Sequence, residues 1–255
     1  MIHPTAIIDP AAEISPSAEI GALVYIGANS VIRDRVKIGV HSVIESNTEI
    51  GEDTEIFPCV CIGCAPQDTG YKGEDTYVKI GKKNVLREFV TVHRATAKAD
   101  RLTEIGDNCY LMANVHIAHD CKLGNNIIMA NGASLSGHVQ VGDNAVFSGL
   151  LGVHQFVRIG TMAMVSALSR ISKDVPAYCM VYSDTIEGLN VVGLRRNGVS
   201  SEVRAELKKA LKIYLDKSIP VSEAKERLAA LEQYKEIQIF RKSCEESVRG
   251  VIRKG

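Results

Sequence analysis

Eleven consecutive isoleucines recur at a strict spacing of six: Ile2, Ile8, Ile14, Ile20, Ile26, Ile32, Ile38, Ile44, Ile50, Ile56 and Ile62. Two residues before each, from Ile8 onward, stands a small or β-branched residue such as Ala6, Ala18, Val24, Ser30, Thr48 or Val60. Glycine often follows directly, as at Gly21, Gly27 and Gly39. Neither an α-helix, with a period of about 3.6, nor an alternating strand, with a period of about 2, has this repeat. A short strand and a turn in every hexapeptide does. Three hexapeptides make a triangular coil of 18 residues, and successive coils stack at the usual strand spacing of about 4.8 Å. The pattern predicts a mainly β chain, a parallel β-helix with isoleucine pointing inward on every face and the small residue inward near each corner. No coil buries its own core, so the stack is cooperative along one axis.

The ladder breaks twice. Between Ile62 and Ile80 the period is lost over a polar stretch rich in Gly and Asp, but the gap of 18 keeps the phase, and Leu86 and Val92 follow. A second break, from His93 to Glu104, shifts the phase by one. Loops that leave a rigid scaffold are where binding residues concentrate. From Ile105 the ladder runs through Leu111, Ile117, Leu123, Met129, Leu135, Val141, Phe147, Val153, Ile159 and Val165 to Ile171, and ends at Pro176. Residues 188–200 read as a linker containing Arg195 and Arg196. The period then becomes helical. Val203, Leu207, Leu211 and Tyr214 share a face behind Ser200 or Ser201 as N-cap. A second helix starts at Ser222 with Ala224, Leu228 and Leu231 inward, and a third runs from about Tyr234 to Arg253 with Ile237, Phe240, Cys244 and Val248 inward. The division expected is a β-helix over 1–187, with inserted loops near 64–79 and 93–104, and a small helical domain over 188–255 covering an end or flank of it.

Thirty basic residues balance thirty acidic ones. That excludes the basic field of a nucleic-acid protein and a polybasic membrane binder. No run of apolar residues is long enough to span a bilayer. The start, Met1-Ile2-His3-Pro4, enters the repeat at once without the features of a signal peptide. Seven cysteines without framework spacing suit a reducing compartment, so a cytoplasmic location is expected. Cys59, Cys61 and Cys64 form C-x-C-x-x-C, but no fourth ligand is near in sequence, and they read as small thiols rather than a zinc site. Charge is divided between the parts. From Val199 on there are 13 basic against 9 acidic residues, and 17 against 21 before it. The basic helical part suits an acidic macromolecular partner.

The 18-residue coil converts spacing into distance. His119, Gly137 and Gln155 fall in one column, and Asp120, His138 and Phe156 in the next. His116 and His154 flank the same edge, so four of the seven histidines gather across three coils. A histidine beside a carboxylate can act as general base, the acid holding its tautomer. Gly137 has no side chain to block approach, and its N–H can stabilise an oxyanion. These parts suit attack by a substrate hydroxyl or amine on a thioester. Two other readings stand beside this one at the level of the residues: a zinc site made by His116, His119 and His138, as in a hexapeptide-repeat carbonic anhydrase, and a non-catalytic scaffold.

Several segments together resemble the UDP-N-acetylglucosamine O-acyltransferases of lipid A biosynthesis over nearly the whole chain. They are Pro66-Gln67-Asp68, Thr91-Val92-His93-Arg94, His116-Ile117-Ala118-His119-Asp120-Cys121, Leu135-Ser136-Gly137-His138, Val153-His154-Gln155-Phe156, Asp174-Val175-Pro176, Asn190 and Gly193-Leu194-Arg195-Arg196. The resemblance implies a left-handed winding, a homotrimer with sites in clefts between neighbours, and transfer of a 3-hydroxyacyl chain from acyl carrier protein to the glucosamine 3-position in the first step of lipid A biosynthesis. It makes His119 the base, Asp120 its support and Gly137 the oxyanion donor. Gln67, Asp68, His116, His138, His154 and Gln155 would bind the sugar and diphosphate, and Asn190 and Arg196 the nucleotide. Ala167 would limit acyl length. No cofactor or metal is implied, since the acyl donor rides on the carrier protein's phosphopantetheine. Nucleic acid and stable membrane insertion are not expected. Thr69-Gly70 and Val192 depart from the family pattern: a basic residue is missing after Asp68 and an acidic one at 192. These departures leave open N-acylation of a 3-amino analogue.

Overall fold

A computed structural model describes residues 1–231, 233–247 and 249–253. Among these residues, 27 short strands form three sheets of nine, eight and ten strands. Inward isoleucines pair coil to coil, Ile8 with Ile26, Ile26 with Ile44 and Ile44 with Ile62. The strands are parallel except for a final antiparallel pair, Cys179–Tyr182 with Thr185–Leu189. The coil winds left-handed. Ile26, Ile44, Ile50 and Ile62 are fully buried, whereas Ile2 on the first coil is 49% exposed. Burying one such side chain contributes about 1.5–3 kcal/mol, so the core is stronger in the inner coils than in the first.

The corners set where chemistry can be placed. Non-glycine residues occupy the left-handed region there, including Asn29, His41, Asp53, Asp120, His138 and Phe156, at φ of 56° to 64°. Each such residue costs about 1–2 kcal/mol in isolation. The corner N–H recovers part of this by bonding to the coil behind, as His138 N–H does to His119 O at 3.0 Å. Side chains at the corners face outward and are free to be polar.

The two breaks are true insertions. Ile80 pairs with Ile50, thirty residues back instead of eighteen, so the first loop adds twelve residues. The kept phase follows because twelve is a whole number of repeats; the chain advances one face across that gap, not one coil. Ile105 pairs with Ile80 across 25 residues, so the second loop adds seven and shifts the phase by one. The irregular stretches are residues 65–76 and 94–101.

Three expectations for the C-terminal part need correction. The boundary at 187/188 falls inside the last strand, which ends at Leu189 because Cys179 pairs with Leu189. The expected linker holds a helix, α1 (Val191–Arg196), whose N-cap Asn190 accepts from Gly193 N–H. Helices α2 (Ser201–Leu215), α3 (Val221–Ala229) and α4 (Lys235–Glu245) follow, but α4 ends well before Arg253. Beyond it the chain returns to the last coil: Asp174 N–H donates to Gly250 O, and Ile252 N–H to Asp174 O at 2.9 Å. Ile252 is buried there, which favours the return over further helix. Val248, expected inward, lies outside the described residues. Leu207, Leu211, Tyr214, Leu228, Ile237, Phe240 and Cys244 are buried as expected and share one continuous core with Tyr178, Cys179 and Val181, so the helices cover the end of the β-helix.

Candidate active site

The nine-stranded sheet carries the histidines. His116–Ile117 is one of its strands, and Ile117, fully buried, pins the segment to the core. Two residues on, the chain turns the corner at His119-Asp120, with Asp120 at φ 60°. That turn aims the two side chains at each other. His119 Nδ1 lies 2.7 Å from Asp120 Oδ2. A carboxylate only accepts, so Nδ1 holds the proton and Nε2 presents its lone pair outward.

Asp120 is 4% exposed, yet its carboxylate is fully engaged. It accepts from His119 Nδ1, from Thr96 N–H at 3.1 Å and from the Thr96 hydroxyl at 2.8 Å. Its own N–H donates to Thr103 Oγ1 at 2.8 Å. Burial works to raise its pKa, but the bonds from His119 and Thr96 outweigh it and hold the carboxyl below the usual range. The acid is ionised and fixed.

Gly137 sits one coil from His119, as the spacing predicts. A Cβ on it would lie 2.5 Å from His119 Cε1 and 2.7 Å from Nε2, so only glycine leaves the imidazole in place. His138 meets His119 edge-on at 5.3 Å and stacks on Phe156 at 4.5 Å. Its Nε2 is 3.6 Å from Asp120 Oδ2. His116 shares a 2.8 Å hydrogen bond with the Thr91 hydroxyl. Burial lowers the pKa of both His116 and His138, with the Asp120 charge opposing part of the shift at His138. His154 is half-buried one coil further, and Gln155 is exposed beside it.

The two insertions wall this edge. Asp68 accepts from Gly70 N–H at 2.7 Å and pairs with Lys98 Nζ at 2.5 Å. Gln67 is exposed next to it. The remaining expected residues lie elsewhere on the chain. Asn190 is buried, and both ends of its amide are used: Oδ1 caps α1 and Nδ2 donates to Met162 O at 2.9 Å. Arg196 is exposed on the last turn of α1, and Ala167 is exposed at a different corner, beside Leu168.

Sequence reasoning missed Thr91, Thr96, Lys98 and the role of His93. His93 is 8% exposed, meets His116 edge-on at 5.0 Å, and its Nδ1 has no partner. The family segment containing His93 was a usable signal; the loop residues Thr96 and Lys98 gave none. The zinc set of His116, His119 and His138 is corrected too. Among the described residues, the group whose ligand atoms converge is His119, Asp120 and His138, while His116 is turned to Thr91. Burial pushes the Cys64 thiol up to about 11 and Cys121 up to about 12, so neither is a ready nucleophile. No described helix is long and apolar enough to cross a membrane.

The chain is similar to known proteins along its length. Residues 174–252 match the family described as UDP N-acetylglucosamine O-acyltransferase, domain 2, and residues 102–137 match the bacterial transferase hexapeptide. An acyl-[acyl-carrier-protein]–UDP-N-acetylglucosamine O-acyltransferase of Thermodesulfovibrio yellowstonii is 47% identical, covering 99% of each chain. One of Verminephrobacter eiseniae is 41% identical with the same coverage. The solved UDP-N-acetylglucosamine acyltransferase of Bacteroides fragilis is 38% identical, covers 99% of this chain and 100% of its own, and superposes with a TM-score of 0.96.

Proposed function

The chain belongs to the UDP-N-acetylglucosamine O-acyltransferase family, and from that premise we propose that it moves a 3-hydroxyacyl group from acyl carrier protein to the 3-hydroxyl of UDP-N-acetylglucosamine, the first step of lipid A biosynthesis. One observation carries the mechanism: an imidazole whose Nδ1 proton is fixed on a buried carboxylate, with its ring laid against a glycine. His119 Nε2 takes the proton from the sugar hydroxyl as the oxygen attacks the thioester carbonyl. Asp120 stabilises the imidazolium that forms. Negative charge develops on the carbonyl oxygen, where the Gly137 N–H donates. The tetrahedral species collapses, the C–S bond breaks, and His119 returns the proton to the phosphopantetheine sulfur. Every group in this scheme belongs to the chain or its substrates.

Asp68, Gln67, His116, His138, His154 and Gln155 are the proposed contacts to sugar and diphosphate, and Ala167 the residue that limits acyl length. For Asn190 the buried, engaged amide leaves only its remaining lone pair and N–H for the nucleotide, with exposed Arg196 nearby in sequence. A homotrimer is part of the reading. It is supported by one corner column that exposes Leu23 and Phe89 singly and Leu150 and Leu168 on adjacent coils, 54–69% exposed, an apolar edge suited to a second copy. The basic C-terminal helices suit the acidic carrier protein, and a cytoplasmic location suits both substrates. The relatives' names specify oxygen as acceptor and do not favour the 3-amino alternative.

The deciding experiment is mass spectrometry of products from a mixed pool of 3-hydroxyacyl carrier proteins with UDP-N-acetylglucosamine and its 3-amino analogue. An ester on the 3-oxygen is expected. Exclusive amide formation would replace the substrate, and absence of acyl transfer would overturn the activity.

A further inference from the structure

An ion pair ties the two insertions together. Lys98 Nζ, from residues 94–101, lies 2.5 Å from Asp68 Oδ2, from residues 65–76. Exposed pairs of this kind ordinarily contribute little to stability, and the Lys98 side chain is 58% exposed. Its surroundings point to a different use. The Lys98 N–H bonds to the Thr96 hydroxyl at 3.2 Å, and that hydroxyl donates to Asp120. Lys98 is therefore anchored to the residue that holds the acid behind His119. Gly70 lies against the pair: a Cβ there would come within 3.1 Å of Asp68 Oδ1, a tight approach, and reach ordinary contact with Lys98 Nζ at 3.4 Å and its Cε at 3.7 Å.

The charge balance of this edge gives the ammonium a ligand. Asp68 and Asp120 are carboxylates held below their usual range, Asp68 chiefly by the Lys98 bond itself. Burial keeps His93, His116 and His138 below the usual imidazole range, hence uncharged near neutral pH. A diphosphate brought to this edge meets two negative charges and, among these groups, one permanent cation. An ammonium has three donors, and Asp68 uses one.

We propose that Lys98 is a substrate-binding residue whose ammonium, steadied by Asp68, donates to the diphosphate of the nucleotide sugar. This rests on the acyltransferase reading and adds a specificity contact to it.

Steady-state kinetics of the full chain and its Lys98→Met and Lys98→Arg variants test it. Lys98→Met is expected to raise KM for the nucleotide sugar about 10- to 100-fold, with kcat within about threefold and KM for the acyl carrier protein unmoved. Lys98→Arg is expected to recover most of that loss, and the defect of Lys98→Met to shrink as salt rises. A sugar KM within twofold of the parent, or a loss confined to kcat, overturns the assignment. The two readings separate in the control: a parent chain that turns over while Lys98→Met leaves KM unmoved sinks the Lys98 contact alone. A parent chain that neither turns over nor binds UDP-N-acetylglucosamine by calorimetry sinks both.

Discussion

The first coils, residues 2 to 62, and the coils from Val92 to Ile159 are built from the same hexapeptide, yet only the second set carries the proposed catalytic residues. In the first, inward isoleucines stack without interruption and the three corner columns hold residues such as Asn29, Arg35 and His41, of which Asn29 bonds to Asn47 and Arg35 to Asp53. In the second, the column that began with Asn29 and Asn47 holds Asp120, His138 and Phe156, and Thr96 of the second insertion bonds to Asp120. The backbone is common; the difference lies in what covers the corner. An exposed histidine at a left-handed corner is decoration. One locked to a carboxylate that a loop threonine clamps has a fixed tautomer, as the proposed base requires.

The sharpest way to break that comparison is to remove a histidine from each region. His119→Ala should lower kcat by about 10²- to 10⁴-fold, the range of a lost general base, with nucleotide-sugar binding largely intact. His41→Ala, at an exposed corner of the first region, should leave kcat within about twofold of the parent. Turnover of His119→Ala within tenfold of the parent would remove His119 from the role of base.

A glycine pair probes the same contrast at lower amplitude. At Gly27 a Cβ would strike backbone, Ser46 N at 2.6 Å; at Gly137 it would strike the His119 ring at 2.5 Å. Backbone cannot swing aside, so Gly27→Ala should destabilise by about 1–3 kcal/mol with the activity of the folded protein unaltered. An imidazole can swing aside, so Gly137→Ala should fold nearly as well and lose about 100-fold in kcat through a misplaced base. Thermal melts and kcat on both variants check this, and equal activity losses would mean that glycine at 137 serves packing alone.

How much of this was legible in the sequence follows the same division. Inward residues such as Ile26 and Leu135 have one compatible environment, so their spacing specified faces and columns, including the contact of His119 with Gly137. The insertions have no period. The 12 added residues preserved phase and hid the lost coil, and the paths of Thr96 to Asp120 and Lys98 to Asp68 depend on tertiary packing across 24 and 30 residues. Helix α1 was hidden because Val191, Val192 and Gly193 are weak helix formers; Asn190 as N-cap was the available signal. The early end of α4 had no local stop in sequence, since Gly250 comes five residues late.

The smallest effect separates the regions by acid. The first coils bury Ser30, Ser42 and Thr54, whose hydroxyls donate to carbonyls and do not titrate. The second region buries His93 with Nδ1 unpartnered, and burial, helped by His116 and His119, pushes its pKa down to about 4. A folded-state pKa below the unfolded value of about 6.5 means the neutral form is favoured by folding. That contribution is fully present above pH 6.5 and is lost as pH falls towards 4. At about 1.36 kcal/mol per unit the ceiling is roughly 3 kcal/mol, and local relaxation and water entry bring the expected loss to about 1–2 kcal/mol. Asp120, held below 3.8, acts in a separate window, its contribution lost only as pH drops below that value. Melting temperature followed from pH 7 to 4 should therefore fall less steeply in His93→Asn than in the parent, with a residual slope from His116 and His138, whose pKa values are also lowered. Parallel slopes would mean that the His93 ring gains a proton without disturbing the fold, and that the coils beneath the insertions are no more acid-sensitive than the plain ladder.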